Sequence, residues 1–261
     1  MFRRLVQRDK RREALEQVAL QKRLESGFVL SMARQLSRSM RQAVKQYESD
    51  GSALSVESVI LSNNPMLEAT LKNEWTKIMR VFGGRILGNL KASPSFERKD
   101  DGDVDYFELA TINYLRKYGA TKVKNISQTT VRQIRSMVED GEREGLPVTE
   151  IAKAITGKIS SIARIRAEVI ARTEVHQAAN VGAFVAAEST GLNLMKEWVS
   201  AADERTREGH ADADGQMVAL HDKFQVADAD GNMEELEFPG DPAGSASNVI
   251  MCRCAVSYVE V

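Results

Sequence analysis

From Leu5 to Tyr47 apolar residues recur at intervals of three and four, most clearly at Val29, Met32, Leu36, Met40, Val44 and Tyr47. That period lays an apolar stripe along a helix of 3.6 residues per turn, so one long helix or two are predicted, with Gly27 as the point of interruption. Asp50-Gly51-Ser52 reads as a turn, and Asn63-Asn64-Pro65 as a second turn that opens a helix. Beyond it Leu67, Leu71, Trp75, Ile78, Phe82, Ile86 and Leu90 repeat at nearly four-residue spacing, which predicts an amphipathic helix with Trp75 in its core face and a kink at Gly83-Gly84. Residues 91–105 carry S-P-S and D-D-G-D and read as an exposed loop.

A helix through Phe107, Leu115 and Tyr118 is expected to end at Gly119, and another to run through Val131, Ile134 and Val138. Gly145-Leu146-Pro147 breaks that pattern, and Thr149 is placed to cap a short helix through Ile151 and Ile155. Ser160 to Thr190 supplies a last, alanine-rich helix closed by Gly191.

After Gly191 the period changes. Short β-prone runs at 194–199, 217–220, 224–226, 236–238 and 254–261 are separated by D-A-D-G, D-A-D-G-N and P-G-D-P-A-G turns, which predicts a small antiparallel sheet packed on the preceding helix. The expected class is α+β: a mainly helical N-terminal region, then a small C-terminal domain of one long helix on an antiparallel sheet. The segments are a basic amphipathic arm at 1–50, a helical region at 51–158 and an α+β domain at 159–261.

Composition narrows this picture. A chain of 261 residues, 43% hydrophobic and 28% charged, can bury a real core. It holds no apolar run of membrane-spanning length, and Met1-Phe2-Arg3-Arg4 leads into charged sequence where a signal core would be apolar, so a cytosolic site of synthesis is expected. The net charge of −1 hides a polarity. Residues 1–50 concentrate Arg3, Arg4, Arg8, Lys10, Arg11 and Arg12 and further cations against half as many acids, whereas from Ala201 onward acids outnumber four basic residues. The Arg3 to Arg12 cluster suits phosphates or an acidic protein surface as well as it suits a solvated helix face.

Scarce residue types gather between Trp198 and Cys254, which hold both cysteines and two of the three histidines. Cys252 and Cys254, one residue apart, are expected to share a face, as two free thiols or as part of a metal site. With His210 they make three donors of the kind zinc takes, and His221 or Asp203 is a candidate fourth. Asp203-x-Arg205-Thr206-Arg207 is suited to a charge-assisted network that fixes an irregular loop. His210 as a general base is the sharper alternative, yet no serine or cysteine nucleophile stands at a recognisable spacing from it. His176 reads as a hydrogen-bonded structural histidine. Asp228, Asp230, Gly231 and Glu237 align partly with a calcium loop, but Val226 takes its first position and a hairpin turn is the stronger reading. Phosphate-cradling, dinucleotide-binding and H-E-x-x-H motifs are absent.

Taken in order, Ala171-Arg172-Thr173-Glu174, Trp198, D-E-R-T-R-E-G-H over Asp203 to His210, Asp214-Gly215, Phe238-Pro239-Gly240-Asp241-Pro242 and Cys252-Arg253-Cys254 resemble the phage Mu F-like minor head, or head morphogenesis, proteins. The resemblance covers roughly residues 150 to 261. It implies a non-enzymatic minor head protein of a tailed phage, present in few copies, associated with the portal protein and packaged double-stranded DNA and with major capsid or scaffolding protein as further partners. It implies a role in capsid assembly or genome delivery, a place in the head interior or at the portal vertex, and a stay in host cytoplasm before assembly. Where some members carry C-P-x-C and H-P-x-C-R-C, resembling a zinc site, this chain has Arg207, His210 and Val249 and keeps the terminal C-R-C. Two other classes stay open: a small hydrolase or transferase using His210, Glu174 or a bound metal, and a general DNA-binding protein.

Overall fold

The computed structural model describes residues 2–90 and 106–261, with side chains in the first helix described at Arg12 and from Glu16 onward. The loop expected at 91–105 and the side chains of Arg3, Arg4, Arg8, Lys10 and Arg11 lie outside the described residues.

Helix α1 (Phe2–Asp50) passes unbroken through Gly27, the one-helix alternative of the two that the sequence allowed. A glycine inside a helix costs only about 1 kcal/mol relative to alanine, too little against a stripe that buries Phe28, Met32, Leu36, Met40, Val44 and Tyr47 just beyond it. The chain then turns at Gly51, whose φ of +65° favours glycine and whose N–H donates to the Tyr47 carbonyl. Helix α2 (Ala53–Ser62), which the sequence reading passed over, buries only Val56 and Ile60. Helix α3 (Asn64–Asn89) buries Leu67, Leu71, Trp75, Ile78 and Phe82 along the expected stripe.

Helix α4 (Tyr106–Tyr114) does not end at Gly119. It continues through a π-helical turn (Leu115–Gly119) into α5 (Ala120–Arg143). Gly119 serves a different purpose there: a Cβ on it would lie 2.9 Å from the Leu115 side chain. Likewise, the two helices expected at 149–155 and 160–190 are one, α6 (Val148–Ser189). Its buried positions Ile151, Ile155, Ile159, Ala163, Ala167, Ala171, Val175, Ala179, Ala183 and Ala187 recur at every fourth residue. Each such step turns about 40° past a full rotation, so over its nine steps the stripe winds about once around the axis and the middle of the helix buries a different side from its ends.

In space the chain falls into two compact units, one formed by residues 1–26, 75–111 and 172–261, the other by 27–74 and 112–171. The second contains helices and turns and no strand among its described residues. The first carries the strands. In it β1 (Leu194–Val199) pairs antiparallel with β2 (Met217–Ala219) and β5 (Ala255–Glu260), in the order β2-β1-β5. Strands β3 (Phe224–Ala227) and β4 (Met233–Leu236) form a separate hairpin, so the single sheet expected is two. β4 starts at Met233 because the Asp228 carboxylate accepts the backbone N–H groups of Asp230 and Asn232 and closes the turn there. Those bonds favour the hairpin reading of D-A-D-G over the calcium loop. The three-stranded sheet lies on the end of α6 as expected, with Leu194 and Leu220 packed on Ala183, Ala186, Ala187 and Ile86.

Close approach of α3 and α6 depends on two glycines. A Cβ at Gly182 would fall 2.6 Å from Met79 Cα and 2.7 Å from its carbonyl oxygen, and one at Gly83 would lie 3.0 Å from the Gly182 carbonyl oxygen and strike the Phe107 ring of α4. Gly84, on the same helix as Gly83, faces open space. Gly182→Ala is therefore expected to cost roughly 1–3 kcal/mol by forcing backbones apart, whereas Gly84→Ala should be neutral or stabilising by up to about 1 kcal/mol. Urea unfolding of both variants checks this; equal behaviour would refute the tight crossing.

Candidate metal centre

Two short helices and one strained turn assemble this site. Helix α7 (Glu208–Asp212) carries His210 and sits close on the hairpin, where a Cβ at Gly209 would lie 2.2 Å from the Ala227 carbonyl oxygen. His210 is 2% exposed. The Trp198 ring meets it edge-on at 5.4 Å, and Trp198 meets Phe224 in the same manner. Helix α8 (Ala246–Val249) supplies Asn248, also buried. Directly after it Met251 takes a φ of +61°, a conformation that costs a side-chain-bearing residue energy. The turn is held from both sides: Met251 N–H donates to Thr173 Oγ1, and the Arg207 guanidinium donates to the Ile250 carbonyl.

That turn delivers Cys252 and Cys254 to one nitrogen. Their Sγ atoms lie 3.6 and 3.4 Å from His210 Nδ1, and the three donor atoms are all within 4.8 Å of one another. Both thiols are free and buried. The Cys254 thiol is drawn down chiefly by its hydrogen bond with Cys252, while burial pushes the Cys252 thiol up. Arg253, between them, points the other way and pairs with Asp203. The other ring nitrogen of His210, Nε2, is 3.1 Å from Asn248 Oδ1, and Asn248 Nδ2 donates to Glu234 on β4 at 2.7 Å.

His221 and Asp203, the candidate fourth donors, do not join this cluster. His221 is mostly exposed and lies beside Glu188. The Asp203 carboxylate is occupied by Arg253, Arg205 N–H and the Thr206 hydroxyl, which together hold it below the usual carboxylate range, the guanidinium acting most. Of the other motif residues, Arg172 on α6 pairs with Glu25 on α1 and Glu174 is buried, while Asp214 accepts the Ser200 N–H and Gly215, at φ +79°, donates to the Trp198 carbonyl.

A second polar cluster was visible in the sequence only as His176. Its Nδ1 is 3.4 Å from Gln21 Nε2 and its Nε2 is 3.2 Å from Asn180 Nδ2. Asn180 also donates to the Pro239 carbonyl and accepts from Gln17. Gly240, at φ +78°, lies so close to the His176 ring that a Cβ would approach within 2.7 Å. These bonds tie the P-G-D-P segment to α6 and α1. Lys196 on β1 was not anticipated at all: it is fully buried, donates to the carbonyl and carboxylate of Glu237, and lies over the rings of Phe184 and Phe224.

Residues 132–257 match a family model described as Phage Mu protein F like protein. Over 214 residues, 78% of this chain, the sequence is 23% identical to the minor head protein GP7 of Bacillus phage SPP1. Over 151 residues, 57% of this chain, it is 23% identical to the uncharacterized protein YqbB of Bacillus subtilis (strain 168). The matches span 63% and 48% of those two relatives, so the chain covers only part of their length. No solved structure matches the chain.

Burial pushes His176 from 6.5 down to about 3, so it stays neutral in the fold while the unfolded chain takes up a proton near 6.5. Its contribution to stability is complete above that value and is lost as pH falls from about 6.5 toward 3, by at most about 1.4 kcal/mol per pH unit. Urea midpoints between pH 7 and 4 should fall more steeply for the wild type than for His176→Gln. Parallel curves would contradict the assignment.

Proposed function

We propose that this chain, whose residues 132–257 match the family model described as Phage Mu protein F like protein, is a minor head protein of a tailed bacteriophage, acting in head morphogenesis without catalysis. The observation that carries the proposal is the convergence of the motif series: Thr173, Asp203, Arg207, Trp198 and the C-R-C cysteines, dispersed over 82 positions of sequence from 173 to 254, meet around one buried cluster. The relative's printed name, minor head protein, supports the same reading. A non-enzymatic role accords with the state of His210, whose two nitrogens are both engaged inside the protein and whose ring is 2% exposed. The partners of this reading are the portal protein, packaged double-stranded DNA and major capsid or scaffolding protein, within the virion.

For the DNA partner the described residues offer a surface beyond the Arg3 to Arg12 cluster. Arg34, Arg38, Arg41 and Lys45 are exposed at steps of four, three and four, one face of α1 about 16 Å long. None forms an ion pair among the described residues, and Arg41 donates only to the Ser160 hydroxyl. Elsewhere surface cations find carboxylates, as in Arg12–Glu16, Arg135–Glu57 and Arg164–Glu168. Like charges at such spacing disfavour the helix by a few tenths of a kcal/mol per pair, roughly. No large apolar side chain is exposed on α1 from Arg34 to Lys45, which suits phosphates better than a protein partner with an apolar centre.

The cluster in the C-terminal unit fits a zinc ion, the metal suggested by the family resemblance. One imidazole nitrogen and two thiols are donors that zinc takes, and all three lie within 4.8 Å of one another. His210, Cys252 and Cys254 would hold it, and the ion would supply a structural cross-link among α7, the Met251 turn and the start of β5. A fourth ligand would come from outside this set.

Retention of the chain by a portal protein of the same phage tests the first reading. Binding that survives high salt and needs residues 1–50 is the expected result, and absence of retention under every condition would overturn portal association. For DNA, replacing Arg34, Arg38, Arg41 and Lys45 with glutamine should weaken binding at low salt and reduce the slope of log affinity against log salt by about one per lost phosphate contact. An unchanged slope would exclude this face.

A further inference from the structure

We infer that Glu234, which touches neither the thiols nor the imidazole, determines which nitrogen of His210 is offered to them, acting through Asn248. The inference rests on the metal reading for its consequence but not for its test.

An ionised carboxylate only accepts hydrogen bonds. Glu234 accepts the Ser245 N–H through its carboxylate and lies 2.7 Å from Asn248. The Asn248 amide must therefore turn its Nδ2 toward Glu234, which leaves Oδ1 facing His210 Nε2 at 3.1 Å. An amide oxygen accepts and never donates, so Nε2 must carry the proton. In the neutral ring Nδ1 is then the lone-pair nitrogen, and Nδ1 is the one 3.4 and 3.6 Å from Cys254 and Cys252.

Burial makes the chain of choices binding. His210 and Asn248 are each 2% exposed, so neither has water as an alternative partner, and the opposite tautomer would set a bare Nε2 lone pair against the amide oxygen. A ligand nitrogen oriented by a hydrogen bond from its other ring position is how imidazoles are held for metals. Here the orienting group is neutral and takes its own direction from a carboxylate on β4, a strand that contributes no donor to the cluster. Asn248 and Glu234 are thus positioning residues for the candidate centre.

The test uses the full chain with ¹⁵N-labelled histidine. Long-range ¹H–¹⁵N spectra at neutral pH should show His210 with a protonated Nε2 and an unprotonated Nδ1 in the wild type. Asn248→Leu, of similar volume, removes the acceptor, and Glu234→Gln makes the acceptor-only group able to donate as well. In both, with folding confirmed by circular dichroism, the two tautomers should exchange. Zinc affinity measured by competition with a chelator should fall by about 10- to 100-fold. A purely structural role would lower stability and leave the tautomer unchanged, and that result would overturn the inference. If the wild type binds no zinc, the metal reading fails while the spectra still decide the tautomer.

Discussion

An imidazole sealed from water needs both of its nitrogens satisfied from within, and the C-terminal unit is arranged to meet that demand at His210. Unpaired, a buried polar group costs on the order of 1–3 kcal/mol, so the partners cannot be optional. Nε2 requires Asn248, and Asn248 requires α8 and Glu234. Nδ1 requires the thiols, and they reach it only because Met251 adopts a positive φ and because Thr173 and Arg207 hold the backbone on either side of that turn. Motif residues distant in sequence are thereby connected by necessity, and each reads as support for one small cluster.

The same logic operates at the neighbouring polar sites. His176 and Asn180 hold the Pro239-Gly240 segment, which has no strand or helix of its own to bond with, and Lys196 holds Glu237 at the segment's start. Burying a cation among aromatic rings is costly unless it is paired, and here the carbonyl and carboxylate of one residue supply the pairing. Irregular loops in this unit are therefore fixed by side chains from regular elements. Loops held in this way are ordered in the free chain, so their ordering would not have to be met on binding.

Much of the architecture was legible in the sequence. The stripes through Met32 to Tyr47 and Leu67 to Ile86 marked α1 and α3, and the change of period after Gly191 marked the strands. The α+β class follows from those two signals. What failed was punctuation. Gly119 and the stretch before Ser160 read as breaks, and at Gly27 the choice between one helix and two stayed open, but a glycine costs a helix about 1 kcal/mol and tertiary burial on either side outweighs it. α2 escaped notice because ten residues with two buried apolar positions carry almost no periodic signal. The division into two sheets was likewise invisible, since strand pairing depends on partners far along the chain. At the site, His210 and the cysteines were conspicuous as rare residue types. Asn248 and Glu234 were not, because a lone asparagine and one acid in an acidic stretch have no local mark, and the same holds for Gln17 and Gln21 on a basic helix.

If this chain is a minor head protein, mass spectrometry of purified mature phage particles should find its peptides in DNA-filled heads at a few copies per particle, retained after washing at high salt. Particles that contain the portal and major capsid proteins but none of this chain would contradict it.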